Sequence, residues 1–338
     1  MVATPSCASF FGTVQRLRSS LSSRWVPLAN LLSGTVVAVL AVACAAQKVP
    51  AAQVEPVRVA TDVYVLLGSG GEITSENGGR TANVAIVVGS RGVVVVDTGI
   101  SYREGEDIIA AVKSISNRPI VLAILTHPGQ EAIFGAAAFQ ARGIPVLAHR
   151  SGAELIATRC ETCLRNLRST LGEDLMSGTR VVEPDRLIAG DETLDLIGRP
   201  LRLIVPPWSS APGAIAVFDE MTSTLIAGSL VSINRIPDLR DANPTAWRAA
   251  LVDIESTQCR HLVPGYGPIG TCADVAAFGH YFAELEMRVG ELLRQGVGLA
   301  ELRNQCDLPQ FARWDQYETL HPQNANRTYL RLERSQFE

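Results

Sequence analysis

The chain has 338 residues, of which 47% are apolar, 6% aromatic and 19% charged, with a net charge of −4. This is globular composition, able to bury a sizeable core in one large domain with an appendage or in two domains. No dense Lys/Arg cluster occurs, which argues against a nucleic-acid-binding face.

The first 46 residues differ in kind from the rest. No acidic residue precedes Glu55, and Arg16, Arg18 and Arg24 lead into an uncharged run over 25–47 that ends in Ala41-Val42-Ala43-Cys44-Ala45-Ala46. A basic start, an apolar middle and a small-residue end are the layout of an export signal. Three outcomes stay open. Leu40-Ala41-Val42-Ala43-Cys44 reads as a permissive lipobox that would lipidate Cys44, a signal peptidase could cut after Ala43 or Ala45, or the segment could remain as a membrane anchor. All three place the rest of the chain outside the cytoplasm, in the periplasm or on a membrane facing it.

Residues 47–56 read as a linker. Residues 57–67 alternate, with Val57, Val59, Thr61, Val63 and Val65 on one face, and predict a half-buried strand. A Gly-rich loop follows over 68–80. Strands are predicted at 84–88 and 93–96, joined by Gly89-Ser90-Arg91-Gly92, and Asp97-Thr98-Gly99 closes the second. Helix and strand then take turns: a helix over 104–115, a buried strand over 120–125 ending at Thr126-His127, a helix over 131–141 and a strand over 145–148. A mostly helical insert covers 151–177. Strands return at 192–205, 215–218 and 224–227, then a helix at 245–256 and a strand at 261–263, and beyond Gly270 the pattern is helical to the end. A strand meander followed by βα units, twice over, predicts an α/β protein of two mixed sheets packed between outer helices.

Cys160 and Cys163 are separated by two residues, a spacing that allows a disulfide, the expected state in an oxidising compartment. Cys259, Cys272 and Cys306 leave an odd count, so one thiol is expected free; a Cys259–Cys272 bridge is a further option. His149, His261, His280 and His321 are scattered, and His321-Pro322 reads as the start of the last helix. Trp208 is a candidate for the mouth of a cleft.

Four segments carry a family resemblance: Val93-Val94-Val95-Val96-Asp97-Thr98-Gly99, Thr126-His127-Pro128-Gly129-Gln130-Glu131-Ala132, Leu225-Ile226-Ala227-Gly228-Ser229-Leu230 and Val263-Pro264-Gly265-Tyr266-Gly267-Pro268. Their order and spacing resemble the metallo-β-lactamase superfamily over residues 57–270. The resemblance implies a four-layer αββα sandwich, here with a helical C-terminal extension over 271–338. It also implies zinc held by a Thr-His-x-His-x-Asp-His signature, a later His, an Asp after Ala-Gly and a His in Pro-Gly-His-Gly-Pro. At those positions this chain has His127, Gly129, Glu131 and Ala132, then Ser210 (or Ser209), Ser229 and Tyr266. Only His127 matches. A catalytic zinc needs about three protein ligands, so no cofactor is expected, and His127, Glu131, Ser210, Ser229 and Tyr266 are read as vestigial positions of one cleft.

Asn83, Cys160-Glu161-Thr162-Cys163-Leu164-Arg165-Asn166-Leu167, Arg235-Ile236-Pro237 and Leu320-His321-Pro322-Gln323-Asn324-Ala325-Asn326 are similar to the quinoprotein relay system zinc metallohydrolases. That likeness implies an exported protein associated with quinoprotein dehydrogenases. The favoured expectation is a non-hydrolytic protein that binds an unknown small molecule or a periplasmic partner. The competing expectation is a hydrolase, either with an atypical metal site or metal-free with Ser229 as nucleophile and His127 as base.

Overall fold

Residues 55–336 are described by the structure, a computed structural model, and all fall within the unit Pro50–Glu338. The expected export segment, Cys44 and all but the end of the linker lie outside the described residues.

The first sheet opens with β1 (Val57–Ala60), β2 (Val63–Leu66), β3 (Val84–Val88) and β4 (Val93–Val96), an antiparallel meander. The sequence predicts a single strand across 57–67, but Asp62 adopts a left-handed φ of 60° and folds it into the β1–β2 hairpin. Helix α1 (Tyr102–Ile115), capped by the Ser101 hydroxyl on the Glu104 N–H, leads to β5 (Ile120–Ile124), parallel to β4. The expected helix over 131–141 is two short ones, α2 (Gln130–Ile133) and α3 (Ala136–Gln140). The break falls at Gly135, whose N–H donates to Gly99 O; a Cβ there would sit 1.7 Å from the Thr98 carbonyl oxygen. Next come β6 (Val146–His149), α4 (Arg150–Leu171) and β7 (Arg186–Ile188). Strand β7, three residues long, is too short for periodicity to reveal.

The second sheet contains β8 (Glu192–Leu194), β9 (Leu201–Ile204), β10 (Ala216–Asp219), β11 (Thr224–Ser232) and β12 (His261–Tyr266). The expected strand over 192–205 is the β8–β9 hairpin, and β11 runs past its expected end to carry Ser229. Helix α5 (Pro244–Glu255) precedes β12. After it come α6 (Ala273–Arg294), α7 (Leu299–Leu302), a 3-10 turn over Pro309–Phe311 and α8 (Tyr317–Arg334). The sheet orders are β1-β2-β3-β4-β5-β6-β7 and β12-β11-β10-β9-β8.

Strand alternation assembles the layers. Val63, Val65, Val87, Val94, Val96 and Ile124 point between the sheets and meet Leu201, Leu203, Val217 and Val263 from the other side. Their neighbours Val84, Ile86, Val93, Val95 and Ala123 point outward onto α1–α4. On the far face, Ala216, Leu225, Ala227 and Leu262 pack against Trp247 of α5 and Phe278, Tyr281 and Phe282 of α6. The result is the expected four-layer αββα sandwich with a helical C-terminal part. Helices α6–α8 share the core of the second sheet, so the expected extension over 271–338 completes a layer. Among the described residues no helix is long and apolar enough to cross a membrane.

One cysteine reading is corrected, and the bridge given as a further option is present. Cys160 and Cys163 are free thiols one turn apart on α4, and the disulfide joins Cys259 to Cys272. Cys160 is buried, and the half-buried Cys163 thiol donates back to the Arg159 carbonyl (3.6 Å). His321 does not start the last helix: α8 begins at Tyr317, and Pro322 lies inside it. The buried His321 ring donates from Nε2 to Cys306 O (2.6 Å) and accepts the Tyr281 hydroxyl on Nδ1 (3.1 Å).

Candidate functional site

A cavity of about 510 Å³ opens where the β5–α2, β11 and β12 strand ends meet. His127, Glu131, Ser210, Ser229 and Tyr266, gathered from positions spread over the sequence, all line it.

The chain of contacts starts at Asp97, at the end of β4 with a left-handed φ of 67°. Its Oδ1 accepts the Thr126 N–H and its Oδ2 the Thr126 hydroxyl, both at 2.8 Å. Thr126 has one hydroxyl proton and gives it to Asp97, so its oxygen can only accept from His127 Nδ1–H, 2.9 Å away. The other ring nitrogen, Nε2, faces Glu131 Oε1 at 3.2 Å. A carboxylate accepts, so Nε2 donates as well, an arrangement that favours the imidazolium form of His127. Glu131 Oε1 also accepts the Tyr266 hydroxyl, and the Arg235 guanidinium stacks on the Tyr266 ring 4.4 Å from its centre. Arg235 is in turn held by Asp315 and Gly71 O.

The electrostatics agree. Burial disfavours a charged His127, but the hydrogen bond and charge of Glu131, then the charge of Asp97, outweigh it and raise the imidazole above its ordinary value. Burial likewise opposes the Glu131 carboxylate, yet His127 and the Tyr266 hydroxyl hold it down at about 2. Burial lifts Asp97 to about 6, partly offset by His127 and Thr126. Burial and the adjacent Glu131 drive the Tyr266 phenol well above its normal range, so it stays a protonated donor.

The hydroxyl pair stands apart from this chain: Ser210 Oγ lies 2.8 Å from Ser229 Oγ. Of the two serines considered for that position, Ser210 lines the cavity; Ser209 is fully buried, its hydroxyl without a partner. His127 is occupied at both nitrogens by Thr126 and Glu131, and Ser229 pairs with Ser210. The expected nucleophile–base pair between Ser229 and His127 is therefore not among the hydrogen bonds.

Glycine at 129 is a condition of this arrangement. A Cβ at Gly129 would lie 2.3 Å from His127 Nε2 and 2.6 Å from Glu131 Oε1. Among the described residues no three His, Cys, Asp or Glu side chains group so as to hold a metal ion.

The walls are mixed. Leu155, Cys160, Cys163 and Trp247 supply apolar surface, and Arg159, Arg235 and Arg240 bring positive charge. Each arginine is tied to an aspartate: Arg159 to Asp241 (2.5 Å), Arg235 to Asp315 and Arg240 to Asp238 (2.6 Å). Trp208, expected at the mouth, is 53% exposed, donates its indole N–H to Asp241 O and does not line the cavity. Sequence reasoning missed Thr126 as the link between Asp97 and His127, and Asp315 as the anchor of Arg235. An isolated Thr or Asp carries no spacing signal.

Asn83 and Asn324 frame the site. Asn83 accepts the Gly68 N–H and donates to Pro264 O and Gly267 O, which holds the Tyr266 turn. Asn324 of α8 donates to Pro237 O and to Tyr281 Oη and accepts the Leu239 N–H, which holds the cavity wall.

A sequence model of the metallo-β-lactamase superfamily matches residues 77–266. The fold is similar to that of a metallo-β-lactamase from Pontibacter korlensis (TM-score 0.55, 19% identity, covering 68% of this chain and 98% of that one). It is also similar to a metallo-β-lactamase from Hirschia baltica (0.55, 17%, 68% and 97%). A double mutant of the sec-alkyl sulfatase PisA1 aligns over more of this chain (0.63, 18%, 82% and 50%). No curated protein sequence matches significantly.

Proposed function

The chain belongs to the metallo-β-lactamase superfamily, and from that premise we propose that it is an exported, non-hydrolytic member that binds a ligand in the cavity at its ancestral metal positions. The observation that carries this reading is the closed hydrogen-bonded set Asp97–Thr126–His127–Glu131–Tyr266. Both His127 nitrogens are engaged with oxygen partners, so a metal would have to displace Thr126 or Glu131 to reach the ring. Glu131 is committed to His127 and Tyr266. Ser210 and Ser229 are neutral hydroxyls, and a phenol of raised pKa is a poor zinc ligand. The family's zinc does not fit this donor set, and no catalytic step is derived through it.

What remains is a pocket large enough for a small molecule, with mixed apolar and charged walls and fixed polar groups at its floor. The basic and apolar N-terminal run supports export. The segments around Asn83, Cys160, Arg235 and Asn324 support a place as an accessory or binding protein beside a quinoprotein dehydrogenase system.

Elemental mass spectrometry of the purified protein, together with hydrolysis assays on β-lactam, thioester and sulfate-ester substrates, tests the reading. The expected result is substoichiometric zinc and no turnover. Stoichiometric zinc, or hydrolysis that disappears in His127→Ala, overturns it.

A further inference from the structure

We propose that Cys160 and Cys163 form a two-thiolate site for a soft monovalent cation of the Cu(I) class, opening onto the cavity. This goes beyond the proposed binding role and stands without it, since it uses none of the groups at the cavity floor.

The two cysteines stand three residues apart on α4, so their Cβ atoms are roughly 5–6 Å apart on one face. Both are free thiols and both line the cavity; Cys160 is buried, and the half-buried Cys163 gives access. Among the described residues the disulfide lies elsewhere, between Cys259 and Cys272.

A redox-active pair needs a thiol whose pKa is depressed, by a helix N-terminus or a neighbouring cation. Here the pair sits mid-helix, and burial, then Cys163, push the Cys160 thiol up to about 12. Such a thiol is a sluggish nucleophile at neutral pH. It yields its proton only to a partner that bonds sulfur strongly, which is what a soft metal ion does.

The number of donors selects the ion. Among the described residues no third His, Cys, Asp or Glu joins the pair in a metal-holding group. Zinc takes four ligands in structural sites and about three protein ligands in catalytic ones, so it is not served. A closed-shell monovalent ion is satisfied by two thiolates. Binding forms two metal–sulfur bonds and releases two protons to solvent, with no electron transferred and one negative charge left on the complex. Arg159, one residue before Cys160, favours the thiolate and offsets that charge; Glu131 acts in the opposite sense at longer range.

The test is an anaerobic titration of the full chain with Cu(I) against the chelator bathocuproine disulfonate, following copper retained and protein thiols that react with a colorimetric reagent. The expected result is one Cu(I) retained per chain, protection of two thiols, and loss of retention in Cys163→Ser, whose half-buried position leaves the core intact. Cys306→Ser, away from the cavity, retains copper, and zinc does not compete. Failure to retain copper, retention unchanged in Cys163→Ser, or isolation of the pair as a disulfide each overturns the proposal. The zinc content measured for the cavity floor is a separate readout, so either idea can fall alone.

Discussion

His127 Nε2 and Glu131 Oε1 lie 3.2 Å apart with side chains only 8% and 14% exposed, so an ion pair sits inside the protein at the cavity end of the sandwich. A buried pair is worth little against an apolar replacement, but removing one partner strands the other charge. His127→Ala and Glu131→Gln are each expected to lower unfolding stability by about 3–5 kcal/mol, read from denaturant titrations. The double variant His127→Leu/Glu131→Leu should cost clearly less than the sum of the singles. Additive losses would show that the two residues do not act as a pair.

The imidazolium has its own signature. In Glu131→Gln the largest influence that raises the His127 pKa is gone, and burial then dominates. Imidazole proton shifts in NMR titrations should place His127 above the ordinary histidine value in the parent and below it in the variant. A parent His127 already neutral at pH 6 would contradict the hydrogen-bond assignment through Thr126.

Stability should fall as pH rises from 5 to 8. Burial raises Asp97 to about 6 and, for Glu104, burial lifts the carboxyl to about 7 against the pull of the Ile100 N–H and Arg80. A raised folded pKa stabilises fully below the unfolded value, near 4 for both, and that contribution is lost as pH climbs through about 6 and about 7. The raised His127 acts in the same direction. Glu131, held at about 2, acts oppositely: its contribution is present above its unfolded value and disappears only as pH drops towards 2. Glu104→Gln keeps an oxygen for the Ile100 N–H (2.7 Å) and removes the ionisation. It should raise the melting temperature at pH 8 by roughly 2–4 °C and leave pH 5 nearly unchanged. An equal shift at both pH values would point to packing instead.

The layers were legible in the sequence because strand alternation and the runs of Val at 84–96 are local signals. So was the gathering of His127, Glu131, Ser210, Ser229 and Tyr266, since the order of the family's segments locates each of them. What escaped depends on contacts between distant residues. The Asp62 turn splits an apparently uninterrupted alternation, and Gly135 breaks a helix because the Thr98 carbonyl passes against it. That Cys160 and Cys163 are free is something their spacing alone does not reveal. Asp315 anchors Arg235 from 80 positions away.

Placing the family's histidine at position 129 should harm the protein. Gly129→His places a Cβ against both His127 and Glu131, and the ion pair must open to admit it. We expect Gly129→His alone to be destabilised by about 1–3 kcal/mol with no gain in zinc. Zinc should enter only when Glu131→Asp, Ala132→His, Ser210→His, Ser229→Asp and Tyr266→His accompany it. Tight zinc in the single variant would show that the hydrogen-bonded set is easily displaced.

The Cys259–Cys272 bridge closes a separation of 13 residues that includes β12 and Tyr266. By the chain-entropy relation such a loop contributes about 3 kcal/mol. Dithiothreitol, or Cys259→Ala/Cys272→Ala, should therefore lower the melting temperature, and hydrogen exchange should rise first along 261–270. Uniform exchange across the chain would mean the bridge is not what restrains the Tyr266 turn.

Asn324 tests whether the C-terminal helices belong to the cavity. Its side chain donates to Pro237 O (2.7 Å), accepts the Leu239 N–H (3.3 Å) and is fully buried; no other hydrogen bond links α8 to that wall. Arg235, Asp238 and Arg240 stand on the same stretch. Asn324→Ala leaves a buried carbonyl and a buried N–H unpaired, a cost of about 1–3 kcal/mol for each group. Asn324→Asp keeps the acceptor for Leu239 but sets a carboxylate against the Pro237 carbonyl, so it should be the worse of the two at neutral pH and recover partly on acidification. Exchange of amides at 236–240 should accelerate in both, while the His127 titration, which depends on the other side of the cavity, stays where it was. If exchange instead rises only within α8, the helix merely caps the core and the wall stands without it.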